Sequence, residues 1–100
     1  MRIDILIKLK DKKDKEVART IGYITFGGIG SNSFERELTS DHFPDLYKAV
    51  TIEYYVENYT LGFVNEELIS RRTMTEMNCT KVRKKDHLSV FVGYNLYVRG

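Results

Sequence analysis

The C-terminal part of the chain alternates strictly between apolar and other side chains, and this pattern constrains the fold more than any other. The apolar positions are Leu88, Val90, Val92, Tyr94, Leu96 and Val98. Successive side chains of a β-strand point to opposite faces, so these residues predict one long strand with a fully apolar face. An apolar face of this size has to be covered by another layer of the protein.

Both ends of the chain are predicted to form β-hairpins. Residues 2–10 alternate, with Leu6 as the one exception, and residues 17–26 are rich in β-branched and aromatic side chains. These two strands form the first hairpin, in which Gly22 is a candidate bulge. At the other end, residues 77–83 are predicted to pair back on the C-terminal strand with Val82 opposite His87.

The middle of the chain is ambiguous. Residues 43–57 fit both a helical stripe and an alternating strand, and their β-branched and tyrosine content favours a strand from about 49, preceded by one turn over 43–48. Asn65 is a good N-cap with acidic residues after it, so a helix is predicted from 66 to about 76. The glycine-rich residues 27–33 predict a flexible loop.

These elements add up to an α+β fold. We expect an antiparallel sheet of about four to five strands, with one main helix packed on one face, in a single domain over residues 1–100. The first residues lack the pattern of a secretory signal, and no apolar stretch is long enough to cross a bilayer. A soluble, cytoplasmic protein without membrane contact is therefore expected, and the lone Cys79 fits a reducing compartment.

No group of residues forms a recognisable catalytic or metal site. The predicted hairpin register separates Cys79 from His87 by roughly 10 Å, too far for a thiol and its base. His42 and His87 each follow an aspartate, but the sequence places no serine beside either pair, and two histidines with one cysteine lack the spacing of metal ligands. We therefore expect no enzymatic activity and no metal.

One glycine pattern invites a comparison with phosphate-binding loops. Gly28, Gly30 and Ser33 follow a strand and resemble a degraded form of the GxGxxG pattern. That pattern binds phosphate at the start of a helix, whereas residues 34–39 are too few and too charged to form one. A surface loop is the preferred interpretation, and no cofactor is expected.

Charge is spread unevenly along the chain. Residues 1–34 sum to +3, residues 35–70 to −6 and residues 71–100 to +5. Lysine and arginine cluster at the turns of the two predicted hairpins, which suggests contact with RNA or single-stranded DNA as an alternative function. The candidate residues are Lys12, Lys13, Arg71, Arg72, Lys81, Arg83, Lys84 and Lys85. Acidic residues within the clusters and a net charge of only +2 favour ordinary solvated turns.

The leading hypothesis is a non-catalytic protein-interaction module. The chain has seven tyrosines and no tryptophan, and tyrosine is enriched at protein interfaces. The candidate contact residues are Tyr54, Tyr55, Tyr59, Phe91, Tyr97, Gly28, Gly30 and Asn32. A protein or nucleoprotein partner is expected, and a homodimer is possible. In general character, being short, rich in lysine and tyrosine and without an enzyme motif, the chain resembles small phage or mobile-element inhibitors, anti-CRISPR proteins among them.

Overall fold

The fold is built almost entirely of β-strands. The computed structural model describes the backbone of residues 2–25, 30–74, 80–84 and 87–98, and the side chains of residues 2–25, 32–74 and 87–95. The strands are β1 (Arg2–Lys10), β2 (Glu16–Thr25), β3 (Gly30–Thr39), β4 (Thr51–Thr60), β5 (Phe63–Thr73), β6 (Thr80–Lys84) and β7 (His87–Val98). One turn of 3-10 helix spans Leu46–Lys48. The described residues include no helix long and apolar enough to cross a membrane.

The strands form two antiparallel sheets that pack face to face. The first has the order β2-β1-β4-β5 and the second the order β3-β7-β6. Val90 and Val92 of the second sheet are buried in one core with Ile7 and Ile52 of the first. The predicted α+β class is therefore wrong: the apolar face of the C-terminal strand is covered by a sheet, and no helix packs on it among the described residues.

Local alternation predicted the strands at both ends. Both predicted hairpins are confirmed as β1–β2 and β6–β7, and β4 begins at Thr51, close to the predicted start. The register of the second hairpin differs from the prediction, because Lys84 is opposite His87 and Val82 is opposite Ser89. Alternation identifies a strand and its apolar face, but the turn decides which residues face each other.

The predicted helix over 66–76 is wrong, because residues up to Thr73 belong to β5. Leu61 and Gly62 both adopt positive φ, at 51° and 80°, which is the geometry of a two-residue hairpin turn. This turn pairs β5 with β4 from Phe63 to Thr73. Asn65 and the acidic residues after it have a weak helical preference, and pairing along the whole of β4 outweighs it.

The predicted glycine loop is also corrected in part. Residues 30–33 belong to β3, while residues 26–29 lie outside the described part of the chain. Gly22 does not mark a bulge, since the irregularity in the first hairpin lies between Leu9 and Lys10. A Cβ at Gly22 would overlap the ring of Phe34, so glycine allows β3 to pack closely on β2.

Candidate functional site

The hairpin of β4 and β5 separates from β1 at its turn end. β1 pairs with β4 only from Thr51 to Val56. Beyond Val56, the described structure pairs β4 with β5 alone, so residues 57–66 form a two-stranded arm. Four residues of β4 lie in this arm, which gives it a length of roughly 13 Å.

Apolar side chains crowd the end of this arm. We call Tyr59, Leu61, Phe63 and Val64 the hairpin tip; these side chains are 70%, 93%, 76% and 54% exposed. Single exposed apolar residues are ordinary on protein surfaces, but a cluster at the end of one hairpin is typical of a contact site. The hairpin tip is therefore the main candidate for a binding surface.

Leu61 occupies its position at an energetic cost. Its φ of 51° lies in the left-handed region, which costs a residue with a Cβ about 1–2 kcal/mol. Glycine, asparagine and aspartate are the residues that normally occupy such a turn. Because Leu61 is 93% exposed, packing within the described chain returns almost none of that cost.

An apolar row runs from the base of the arm across the first sheet. It lies on the outer face, meaning the side of this sheet that does not contact the second sheet. Leu6 is paired with Ile21 on one side and Tyr55 on the other, and Tyr55 is paired with Leu68. Leu6 is only 4% exposed because these neighbours cover it, which explains why it interrupts the alternation of β1.

A buried carboxylate lies beside this row. Glu53 has no exposed surface; its Oε1 accepts a hydrogen bond of 2.7 Å from the Tyr55 hydroxyl, and its Oε2 accepts one of 2.6 Å from Arg71 Nε. Lys10 Nζ lies 3.4 Å from Oε1. The cluster joins β1, β4 and β5, so it holds the base of the arm in place.

These contacts set the protonation of the cluster. Burial acts most strongly on Glu53 and by itself raises the pKa, but the hydrogen bonds from Tyr55 and Arg71 and the charges of Lys10 and Arg71 together outweigh it. The pKa of Glu53 is therefore lower than usual. Burial, followed by the bond to Glu53, raises the pKa of Tyr55 to about 12. The Glu53 carboxylate and the Tyr55 hydroxyl are therefore both engaged in hydrogen bonds within the sheet.

A chain of polar contacts on the second sheet has the order of a catalytic triad. His87 Nδ1 lies 3.3 Å from Oδ2 of Asp41, and His87 Nε2 lies 3.2 Å from Oγ of Ser89. In the sequence, each histidine follows an aspartate, and no serine was predicted near either pair. The structure corrects this, because the chain turn after β3 brings Asp41 to His87, and Ser89 is two residues along the same strand.

The geometry around Ser89 does not suit a nucleophile. Its hydroxyl donates a hydrogen bond of 3.1 Å to Oε1 of Glu37, so its single proton points away from His87. Ser89 is also only 7% exposed, which leaves little room for a substrate. The contacts of Asp41, His87, Ser89 and Glu37 instead tie β3 to β7.

The other residues considered for chemistry give no site. Cys79 lies outside the described residues, so its separation from His87 stays a prediction. His42 Nδ1 is 3.4 Å from Oγ1 of Thr39. Within the described ranges, no three histidine, cysteine, aspartate or glutamate side chains are grouped so that they could hold a metal ion.

The tyrosines proposed as contact residues have separate locations. Tyr54 is 2% exposed, and its ring centroid lies 5.3 Å from that of Tyr94, so its ring belongs to the core. Tyr55 lies on the outer face with its hydroxyl bound to Glu53. Tyr59 alone of the three belongs to the hairpin tip.

The remaining proposed contact residues belong to the second sheet or lie outside the described part of the chain. Phe91 is partly buried in β7, Asn32 is partly buried in β3, and Gly30 begins β3. Gly28 lies outside the described residues, as does the side chain of Tyr97. Of the glycine-rich segment 27–33, the structure therefore describes only the part in β3.

Part of the predicted basic surface does come together. Lys12 and Lys13 line an open cavity of about 470 Å³ with Tyr47, Lys48 and Asp11. The backbone N–H groups of Lys15 and Lys13 donate to Oδ1 of Asp11 and keep the pKa of this carboxyl below its usual value.

Of the other predicted basic residues, the structure describes the side chains of Arg71 and Arg72, and neither lines this cavity. Arg71 is bound to Glu53, and Arg72 is exposed on β5. The side chains of Lys81, Arg83, Lys84 and Lys85 lie outside the described part of the chain.

The sequence analysis missed Leu61, Phe63 and Val64. A usable signal was present, since Leu61-Gly62 lies between two runs of β-forming residues and glycine permits the turn.

No protein-family model matches the chain, and neither a curated protein nor a solved structure shows significant similarity to it.

Proposed function

We propose that this chain is a non-catalytic protein-binding module whose hairpin tip inserts into an apolar groove of a larger protein or nucleoprotein. The observation that carries this proposal is the exposure of four apolar side chains at the end of a two-stranded arm. In this role the chain acts as an inhibitor or modulator of its partner. Its general resemblance to small phage or mobile-element inhibitors supports such a role.

The exposed surface is large enough to give useful affinity. Burial of a leucine or phenylalanine side chain contributes roughly 1.5–3 kcal/mol, so Leu61 and Phe63 alone offer a substantial part of a micromolar affinity. The arm is held at its base by the contacts of Glu53 and by the ion pair of Lys8 with Glu66, at 2.9 Å. Because the arm is held before binding, less entropy is lost when it docks.

The strained leucine is a second argument for this surface. A hairpin selected only for stability would carry asparagine or glycine at position 61, since these residues tolerate the left-handed conformation. Strain that stability does not explain is commonly found at functional sites. Leu61 combines that strain with 93% exposure, which is the combination expected of a contact residue.

The experiment compares two variants of the full chain as bait in an extract of the cells that produce it. Leu61→Asn removes apolar surface while it favours the same turn, and Ile21→Asn removes similar surface from β2, where Ile21 is 47% exposed. We expect quantitative mass spectrometry to find proteins that wild type and Ile21→Asn retain and Leu61→Asn loses. Identical sets for all three baits would contradict the proposal.

A second candidate function, binding of single-stranded nucleic acid, is favoured by the cavity of Lys12, Lys13, Lys48 and Tyr47. The lysines can neutralise phosphates, and Tyr47, which is 57% exposed, offers a ring for base stacking. Fluorescence anisotropy with mixed oligonucleotides at two salt concentrations tests this. Binding that weakens with salt and is lost in Lys12→Glu/Lys13→Glu supports it, and binding that this variant retains rejects it.

A further inference from the structure

Strand β5 leaves one edge of the first sheet open. The sheet order ends at β5, and no described strand pairs with its other side. All of its side chains are exposed except that of Ser70, which is half-buried. The open edge from Phe63 to Arg72 presents backbone N–H and C=O groups to which a further strand can bond.

The charges of β5 change sign at its centre. Glu66 and Glu67 precede the uncharged segment 68–70, and Arg71 and Arg72 follow it. If a second β5 were added in parallel, acidic residues would face acidic residues. In the antiparallel arrangement the acidic half of each strand faces the basic half of the other. The charge pattern thus selects an antiparallel copy of the same strand.

The register of pairing between two β5 strands follows from which side of the sheet each residue lies on. Ser70 is opposite Tyr54 and Leu68 is opposite Tyr55, so Ile69 is the extra residue of a bulge. Glu67 and Arg72 lie opposite Val56 and Ile52, and therefore both are on the core-facing side of the sheet.

An antiparallel copy that keeps core-facing residues on one side pairs Ile69 with Ser70 and Glu67 with Arg72. Arg72 is exposed on β5, and no ion pair joins it to another of the described residues. Glu67 accepts a hydrogen bond of 3.2 Å from Asn58 Nδ2.

We propose that two copies of this chain associate through antiparallel pairing of their β5 edges, centred on Ile69 and Ser70. Glu67 of each copy then faces Arg72 of the other. The two four-stranded sheets become one sheet of eight strands around a two-fold axis, a closed arrangement in which both copies use the same surface. The hairpin tips point in opposite directions, roughly 50 Å apart. If the proposed function holds, the dimer binds two sites at once.

Charge reversal provides the test. Glu67→Lys places lysine opposite arginine at two symmetric positions, and Arg72→Glu places glutamate opposite glutamate. In a mixture of the two variants, each lysine meets a glutamate and each remaining Arg72 meets a remaining Glu67. We measure association of the full chain by sedimentation velocity up to a concentration of about 1 mM, where weak dimers form. Circular dichroism confirms that both variants fold.

We expect a wild-type dimer that weakens as salt rises, a dissociation constant at least about tenfold higher for each variant alone, and recovery in the equimolar mixture. Glu35→Lys, on β3 of the second sheet, serves as the charge control and retains the dimer. A monomeric wild type, or variants whose mixture shows no recovery, would overturn the proposal. Leu61→Asn separates this proposal from the proposed function, because that change leaves the dimer intact whether or not the tip binds a partner.

Discussion

Arg71 donates a hydrogen bond of 2.6 Å from its Nε to Oε2 of Glu53, so an arginine on an edge strand neutralises a carboxylate that has no exposed surface. The same carboxylate accepts the hydroxyl proton of Tyr55. A buried carboxylate that lost these partners would be strongly destabilising, so its contacts link the packing of the sheet to the position of the arm. The first predictions concern this link.

Replacement of Tyr55 by phenylalanine removes one donor to Glu53 and leaves the rest of the ring in place. A hydrogen bond to a charged group contributes about 1.5–3 kcal/mol, and partial exposure lowers this, so we expect the free energy of unfolding to fall by about 1–2 kcal/mol. Urea unfolding measures it. Tyr59→Phe at the exposed tip is the matched control, with no change expected; equal effects in the two variants would contradict the structural role of Glu53.

Lowering the pH is expected to reduce the unfolding free energy of the wild type more than that of the Glu53→Gln variant. The pKa of Glu53 is below its ordinary value of 4.5 in the folded chain, so its stabilising effect is present above that pH and is lost as the pH falls through the folded value. The difference in unfolding free energy between the two proteins should therefore shrink on acidification below about pH 5. Urea titrations across this range test it, and a constant difference would refute it.

Leu61→Asn is expected to make the protein more stable. Asparagine tolerates the left-handed conformation, so the free energy of unfolding should rise by about 1 kcal/mol. Leu61→Ala keeps the strain while it removes apolar surface, and we expect it to leave stability unchanged. Thermal and urea unfolding compare the three proteins; the same stability for asparagine and alanine at this position would show that the turn is not strained.

Ser89 is expected to be unreactive toward a fluorophosphonate probe, despite its contact with His87. Its proton points to Glu37, and its side chain is nearly buried. Mass spectrometry of the probe-treated protein should find no modified Ser89, whereas an authentic serine hydrolase treated in parallel is labelled. Labelling of Ser89 that depends on His87 would mean that this chain of contacts is catalytic.

The strands that could be predicted from the sequence are those whose pattern lies in consecutive side chains. The alternation of β1 and β7 is a property of consecutive side chains, and it placed the buried face of Val90 and Val92 correctly. The predicted helix over 66–76 was wrong because it also relied on local signals alone. Capping residues and charges at the expected ends are also local, and pairing with β4 outweighed them once Leu61 and Gly62 formed the turn.

The candidate site depended on relationships that no local pattern contains. Leu61 and Phe63 are exposed because β1 stops pairing with β4 at Val56. How far two strands pair along each other is set by the whole fold. Tyr54 and Tyr55 are adjacent and chemically alike, yet one lies in the core and the other on the outer face. Which face is covered follows from the second sheet, whose position the sequence pattern did not reveal.

Site-specific photo-crosslinking tests the role of the hairpin tip most directly. A photoreactive phenylalanine derivative replaces Leu61 in one protein and Ile21 in another, and both are illuminated in the cells that naturally produce the chain. Our account predicts a covalent adduct with a distinct partner protein from position 61 and none from position 21. No adduct from position 61, or the same adducts from both positions, would contradict binding through the tip.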